Sequence, residues 1–458
     1  MQNQSWHVID PITGQEKETF SYVDQSEIKK AIDDLHDSFV EWSKLKIKER
    51  QNTLKKFQDA LEKNKEKISH LITTEMGKPT KEAAAEVQKC ITTISNYIAY
   101  DFSSFENQTV HSIYKESRIE HKPLGVIYGI MPWNFPLYQA VRMFIPPLLA
   151  GNVVLLKHSE VSPKMGALID HLFQGVWQKP IFHHVLASVE ATEAIVKDPR
   201  VGGVSLTGSV KAGYSVSNLA GKHLKKSVFE LGGSDPCLIL ADAPLKAAAV
   251  MVAKARLMNT GQSCICIKRC LVDKSVMPEF LNLLKEEFSK YKYGNPFEKT
   301  TDLGPLCHPR FKTALKKQVE ELKKNTGAER IFHMAHGQND NGAYVDTEIY
   351  LLPKNSPWLY NQEFFGPVLI VIPFENNDEA IEIANSTEYA LGASLWSKDL
   401  TKAQQVADKI VAGQVTINDM VKSDSTLPFG GFKSSGLGRE LSTNGFLEFT
   451  QTKVISYS

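Results

Sequence analysis

The sequence predicts an α/β architecture: two parallel sheets wound with helices, and a small β extension. Three patterns predict it. Between residues 123 and 232, short apolar runs alternate with helical segments, the mark of a doubly wound parallel sheet. After about residue 265 the alternation restarts, which calls for a second α/β unit. Two further segments, "TVHSIYKESRIEHK" near 109–122 and "FLEFTQTKVISYS" at the C-terminus, alternate with period two and belong to neither series. With 458 residues, the chain is longer than one core fills, so two or three domains are expected.

Residues 26–100 read as helices. "SEIKKAIDDLHDSFVEWS" sets Ile28, Ile32, Leu35 and Phe39 on one stripe, with Ser26 as its N-cap. "KERQNTLKKFQDALEKNKEKISHLI" repeats the pattern with Leu54, Phe57, Leu61, Ile68 and Leu71. The charged faces of these helices are most simply solvated surface. From Pro123 to Leu156 the chain is very apolar, with Arg142 as its charge. Pro123, Pro132, Pro136, Pro146 and Pro147 interrupt it too often for a membrane span of about 20 residues, so a buried domain interior is expected. The first strand series is "GVIYGIMP", "NVVLLK", "FHHVL", "VGGVSL" and "KSVFEL". The second is "ICIKRCLVD", "PVLIVIPF", "LGASLWS" and "GQVTIN". The two period-two segments look like exposed edges that another subunit would cover.

Composition is ordinary for a globular protein, at 42% hydrophobic and 23% charged, and a net charge of +1 excludes the basic excess of a nucleic-acid binder. The N-terminal "MQNQSWHVIDPITGQ" lacks a basic region followed by an apolar core, so no signal peptide is expected. Six cysteines without a secretory signal suggest free thiols in a reducing compartment. No metal site is expected: Cys264, Cys266 and Cys270 form no CxxC pair and have no neighbouring histidine.

In open parallel sheets, ligands bind beyond the carboxyl ends of the strands. Asn134, Lys157, Gly208, Ser209 and Glu230 fall there. "TGSVKAG" leads from a strand into a helix, whose N-terminus would suit a phosphate; a plain strand-to-helix turn explains it equally well. Lys157 and Glu160 suit ribose hydroxyls or phosphate, against the alternatives of a surface lysine and a helix-start acid. "ELGGSDP" sets Glu230 beside two glycines that allow close backbone approach, making it a general-base candidate if burial raises its pKa. "PWNFP" holds Asn134 between prolines, where a rigid amide would serve as an oxyanion donor or as a structural turn. "NTGQSCICIKRC" contains three cysteines. If the run is extended they share one face, and spacing alone does not choose among them.

Taken together and in order, "PWNFP", "LTGS", "ELGG", "GQSC", "QEFFGPV" and "PFGGFKSSGLGRE" resemble the NAD(P)-dependent aldehyde dehydrogenase family. The resemblance runs from "IDPITGQ" to the last strand. "EMGKP", "ELGGSDP", "MVKSD" and "GRELS" are most similar to bacterial succinate-semialdehyde dehydrogenases. The resemblance implies an NAD(P)-binding Rossmann-like domain over 1–105 and 124–232, a catalytic domain over 233–430, and β oligomerisation segments at 106–123 and 446–458. It makes Cys264 the nucleophile, Asn134 the oxyanion donor and Glu230 the base for thioester hydrolysis. Cys266 and Cys270 then become packing residues, though a strained Cys264–Cys266 disulfide under oxidation is a further possibility. It sets Lys157 and Glu160 at the adenine ribose, Gly208 and Ser209 at the pyrophosphate, and Glu363 at the nicotinamide ribose. Trp133, Leu231 and Phe365 line the same cleft.

A carboxylate at Glu160 would accept from a 2′-hydroxyl and repel a 2′-phosphate, so NAD is expected over NADP; Lys157 and His158 leave NADP use open. Arg142 lies about two helical turns past Asn134 in an apolar run, where an unmatched charge is costly. The resemblance sets it at a substrate carboxylate, with Ser423 as a second contact; an internal salt bridge is the alternative. A small aldehyde substrate, a homodimer or homotetramer, and a cytoplasmic location complete the expectation. A broad-specificity relative and a catalytically silent family member are the competing readings.

Overall fold

The computed structural model describes residues 5–105 and 108–458. The first four positions of the expected 1–105 segment, and Glu106 and Asn107 at the head of the expected 106–123 segment, lie outside the described residues. A hairpin of β1 (Ser5–Ile9) and β2 (Glu16–Ser21) opens the chain. Four helices follow: α1 (Gln25–Trp42), α2 (Ile47–Lys63), α3 (Lys65–Met76) and α4 (Thr80–Ala99). Asp24, not Ser26, caps α1. Its Oδ1 accepts from the backbone N–H of Ser26 at 2.8 Å and of Glu27 at 2.9 Å, and Glu27 returns a bond to the Asp24 N–H. This reciprocal box satisfies more helix-end donors than a cap at Ser26 would. Ile28, Ile32 and Leu35 are buried as expected, and Phe39 is half-buried. The stripe from Leu54 to Leu71 spans two helices, because the chain breaks at Asn64, whose side chain turns back to the Ala60 carbonyl at 2.8 Å.

After β3 (Gln108–Val110) and β4 (Glu116–Pro123) comes the first wound series. It runs β5 (Val126–Met131), α5 (Tyr138–Ala150), β6 (Val153–His158), α6 (Pro163–Phe173), β7 (Phe182–His184), α7 (Ala191–Lys197), β8 (Val201–Thr207), α8 (Val210–Lys222) and β9 (Lys226–Glu230). The second series begins with β10 (Pro236–Ile239), α9 (Leu245–Leu257), β11 (Arg269–Asp273), α10 (Met277–Ser289) and α11 (Pro309–Thr326). It continues through β12 (Glu329–Met334), β13 (Thr347–Leu351), β14 (Val368–Phe374), α12 (Asn377–Asn385), β15 (Tyr389–Ala390), β16 (Gly392–Trp396), α13 (Leu400–Ala407) and β17 (Gln414–Ile417). The chain then returns through β18 (Phe432–Lys433) and β19 (Gly436–Leu437), and ends in α14 (Ser442–Glu448) and β20 (Thr450–Tyr457).

Two sheets carry the α/β fold. One has the order β19-β9-β8-β5-β6-β7, parallel except for β19. The other has the order β12-β13-β14-β11-β10-β16-β17, parallel except for β12. In the first sheet Ile130 pairs with Lys157 and Leu206, and Thr207 pairs with Glu230. The carboxyl ends of four strands therefore open on one edge, where a wound sheet binds ligands. The helix α5 is buried along its whole length, and Pro146 and Pro147 lie within its last turn and a half. Among the described residues, no helix is long and apolar enough to cross a membrane.

Two expectations change. The run "ICIKRCLVD" is extended only from Arg269, so Cys264, Cys266 and Cys270 do not share a strand face. The backbone N–H groups of Lys268 and Arg269 both turn to the Asp235 carbonyl, at 3.1 and 3.3 Å, which holds the preceding residues in a loop. The two orphan β segments find each other: β20 runs antiparallel to β4 over its whole length, with Val454 opposite Ile119, and β3 covers the other side of β4.

Candidate active site

Between α9 and β11 the backbone enters left-handed geometry at Asn259 (φ 54), Thr260 (φ 51) and Gly261 (φ 76). Non-glycine residues there cost about 1–3 kcal/mol each, so the surroundings must hold them. Asn259 Nδ2 donates to the carbonyls of Asn134, at 2.8 Å, and Gln262, at 3.1 Å, while its N–H donates to Glu82 at 2.9 Å. The buried Arg256 guanidinium gathers the carbonyls of Gly261 at 2.7 Å, Ile267 at 3.1 Å and Phe364 at 3.1 Å. Buried Lys268 donates to the carbonyls of Ser263, at 2.8 Å, and Cys264. This clasp presents Cys264, half-buried, to a cavity of about 320 Å³. All six cysteines are free, and Cys266 is turned away, its thiol 3.8 Å from the Met258 carbonyl.

The glycines of "ELGG" make room for this loop. A Cβ on Gly233 would fall 2.6 Å from the Cys264 carbonyl oxygen, and one on Gly232 would fall 2.5 Å from Glu363 Oε2. Asn134 is buried with its Nδ2 donating to the Gln262 carbonyl at 3.1 Å, two residues before Cys264. Glu230 ends β9, fully buried, and neither carboxyl oxygen has a hydrogen-bond partner. Burial pushes its pKa well above the usual carboxylate range; Arg142 and Arg439 oppose the rise and Glu440 adds to it. Burial also pushes the Cys264 thiol up to about 12, against the charges of Lys268 and Arg142.

The cavity wall joins distant parts of the chain: Glu82, Glu86 and Lys89 from α4, Tyr138 and Arg142 from α5, and Ser423 from the loop after β17. Arg142 is ion-paired with Glu440, their side chains only 2% and 4% exposed. Of the two readings of Arg142, the internal salt bridge is thus present, although Arg142 still borders the cavity. Glu86 Oε1 accepts from the N–H groups of Leu137 and Tyr138, each at 3.0 Å, and its other oxygen pairs with buried Lys78. The charged stripe of α4 therefore faces the cavity and the start of α5. Reading the charged faces of the first helices as solvated surface suits exposed pairs such as Lys29–Asp33 of α1. Lys89 Nζ donates to Ser423 Oγ at 2.6 Å and lies 4.2 Å from the Tyr138 ring centre. Burial and the charge of Arg142 lower its pKa to about 8.

The remaining candidates lie around the same sheet edge. Lys157 is buried, not a surface lysine, and donates to Glu160 at 2.9 Å. His158 is buried beside it. Its Nε2 meets the Pro136 carbonyl at 2.8 Å and its Nδ1 meets Ser162 Oγ at 3.1 Å, and burial lowers its pKa to about 4. Ser209 is the exposed N-cap of α8, its Oγ accepting from the Ala212 N–H at 3.3 Å, and Gly208 precedes it, where an added Cβ would meet only the Leu206 side chain, at 3.8 Å. Leu231 is buried against Gly213. Glu363 accepts from the Gly233 N–H at 3.1 Å and lies 3.6 Å from Lys268. Phe365 stands edge-on to Trp133 at 5.8 Å.

Sequence reasoning missed Lys89, Glu86, Arg256, Asn259, Lys268 and Glu440. A polar stripe at 82, 86 and 89, beside the apolar one at Ala83, Val87 and Cys90, was the available signal for α4. Among the described residues, no group of three His, Cys, Asp or Glu could hold a metal ion.

Residues 1–455 match the aldehyde dehydrogenase family model. The chain is 38% identical over 451 residues to the succinate-semialdehyde dehydrogenase [NADP(+)] of Deinococcus radiodurans, covering 98% of this chain and 94% of that protein. Its structure is similar to that of succinic semialdehyde dehydrogenase from Streptococcus pyogenes in complex with NADP+, with a TM-score of 0.94, 31% identity, and 98% and 99% of the two chains covered. It is also similar to a betaine aldehyde dehydrogenase from Staphylococcus aureus, with a TM-score of 0.93, 28% identity, and 99% and 92% covered.

Proposed function

This chain belongs to the aldehyde dehydrogenase family, whose members are NAD(P)-dependent enzymes, and on that premise we propose that it oxidises succinic semialdehyde to the acid with NAD. The observation that supports this substrate is the cavity at Cys264, bordered by Lys89, Arg142 and Lys254. Its two acids are engaged, Glu86 by Lys78 and two N–H groups and Glu82 by the Asn259 N–H. Such a wall attracts a short aldehyde ending in a carboxylate and repels one ending in an ammonium. Arg142 and Ser423 are the substrate contacts of this reading.

Cys264 attacks the aldehyde carbon. An amide nitrogen carries two hydrogens: Gln262 takes one from Asn134, leaving the other, with the Cys264 N–H, for the oxyanion. The nicotinamide cofactor, when bound, accepts the hydride. Glu230, with both oxygens unpartnered, draws a proton from the water that cleaves the resulting thioester on Cys264. Lys157 and Glu160 would hold the adenine ribose, Gly208 and Ser209 the pyrophosphate, and Glu363 the second ribose. Trp133, Leu231 and Phe365 would line the cleft. The open approach at Gly208, ahead of a helix of 13 residues, fits a phosphate there.

NAD is preferred in this reading because Glu160 occupies Lys157, and His158 is uncharged and turned inward, so neither is free for a 2′-phosphate. The enzyme is proposed to work as a cytoplasmic homodimer or homotetramer, in keeping with six free thiols and the β extension. The test is cofactor reduction by the purified protein with succinic semialdehyde and with butyraldehyde, each with NAD and NADP. A clear preference for succinic semialdehyde with NAD is expected. Equal use of butyraldehyde would overturn the substrate, and faster turnover with NADP would overturn the cofactor.

A further inference from the structure

Along one stripe of α4, Glu82, Glu86 and Lys89 recur at helical spacing. Glu86 is paired with Lys78 and accepts from two backbone N–H groups, and Glu82 accepts from the Asn259 N–H. Lys89 differs: among the described residues no carboxylate lies within ion-pair distance of it. Its ammonium is steadied by Ser423 Oγ at 2.6 Å and by the face of Tyr138 at 4.2 Å. Neither contact neutralises it. An ammonium has three donors, and one bond to a hydroxyl leaves two. The residue is exposed within the wall of the Cys264 cavity, so a ligand reaches it. Arg142, buried and ion-paired with Glu440, borders the same cavity, and its Nη2 has no hydrogen-bond partner. A cation held by a hydroxyl and an aromatic face, with donors to spare, is built for an anionic oxygen.

We infer that Lys89, held by Ser423 and Tyr138, is a specificity-determining contact for the terminal carboxylate of the aldehyde, beside the Arg142 and Ser423 contacts of the proposed function. This rests on the reading of the substrate as a short carboxylate-bearing aldehyde. The side chain of Lys89 touches no reacting atom, so its removal should affect binding of the carboxylate and not the chemistry at Cys264.

The experiment compares wild type, Lys89→Met and Lys89→Arg with succinic semialdehyde and butyraldehyde. Lys89→Met should raise KM for succinic semialdehyde about 10- to 100-fold, the loss of one charge-assisted hydrogen bond. It should leave kcat, the KM for butyraldehyde, the KM for NAD and the unfolding midpoint nearly unchanged, and Lys89→Arg should restore much of the KM. Equal effects on both aldehydes, or none on either, would overturn the assignment. A second measurement separates this inference from the reading beneath it: succinate should slow alkylation of Cys264 by iodoacetamide in wild type and not in Lys89→Met. Wild type that prefers succinic semialdehyde, with Lys89→Met keeping that preference, sinks the role of Lys89 alone. Wild type with no preference, but protected by succinate through Lys89, sinks the substrate alone. No protection of wild type by succinate sinks the anion contact.

Discussion

Burial raises the pKa of both Cys264 and Glu230, so the ligand-free protein near neutral pH holds Cys264 as a thiol, and Glu230 is biased towards its neutral form. In the proposed mechanism both act deprotonated. Since both pKa values lie above their ordinary ranges, kcat/KM for butyraldehyde should climb as pH rises from 7 to 9, with no plateau near neutrality; a flat profile from pH 6 would show that substrate and cofactor reset both groups. Glu230→Gln should keep the first half of the reaction and stall the second. Rapid mixing should then show a burst of about one reduced cofactor per site and a steady rate lowered about 10²-fold or more. At Lys89 the sign is opposite. Its pKa of about 8 leaves it charged below that pH, so KM for succinic semialdehyde should rise as pH passes 8 while KM for butyraldehyde stays level. The groups whose charges act on Lys89 are Arg142, Cys90, Glu86 and Asp424. Candidates at the cavity were legible where the family resemblance singled out a motif, as with Cys264 in "GQSC" and Glu230 in "ELGG". Lys89 was not, because an isolated lysine on a charged helix looks the same whether it meets water or a cavity.

At the scale of elements, α4 organises the site from outside it. Glu86 ties the start of α5 to buried Lys78, and so sets the turn that carries Asn134. Glu86→Ala leaves the Lys78 charge unmatched and should cost about 3–5 kcal/mol in urea unfolding. The double variant with Lys78→Met should recover part of that loss, because the orphaned charge is gone. A loss under 1 kcal/mol would mean that water replaces the pair. Helix existence was legible from the stripes at Ile28 to Leu35 and Leu54 to Leu71. Helix ends were not. Asp24 and Asn64 are decided by side chain-to-backbone bonds of which composition gives little sign.

For the whole molecule, the carboxyl edge of one parallel sheet supplies Glu230, Lys157 and the turn before Asn134, and the loop between α9 and β11 supplies Cys264. The antiparallel extension stands apart, with Val454 and Tyr457 exposed on β20. Removing residues 450–457 uncovers the long edge of β4 and should lower the particle mass measured by light scattering, or aggregate the protein. An unchanged mass would place the subunit contact elsewhere. The alternation of strands and helices and the two wound series were determined by the sequence alone, because each depends on periodicity within about ten residues, and the order of the motifs was read there as a family resemblance. The tertiary structure decided which charges meet. Lys89 reaches Ser423 across a separation of 334 residues, and Arg142 finds Glu440 from the far end of the chain. Such pairings depend on how whole layers stack, and no local pattern encodes that.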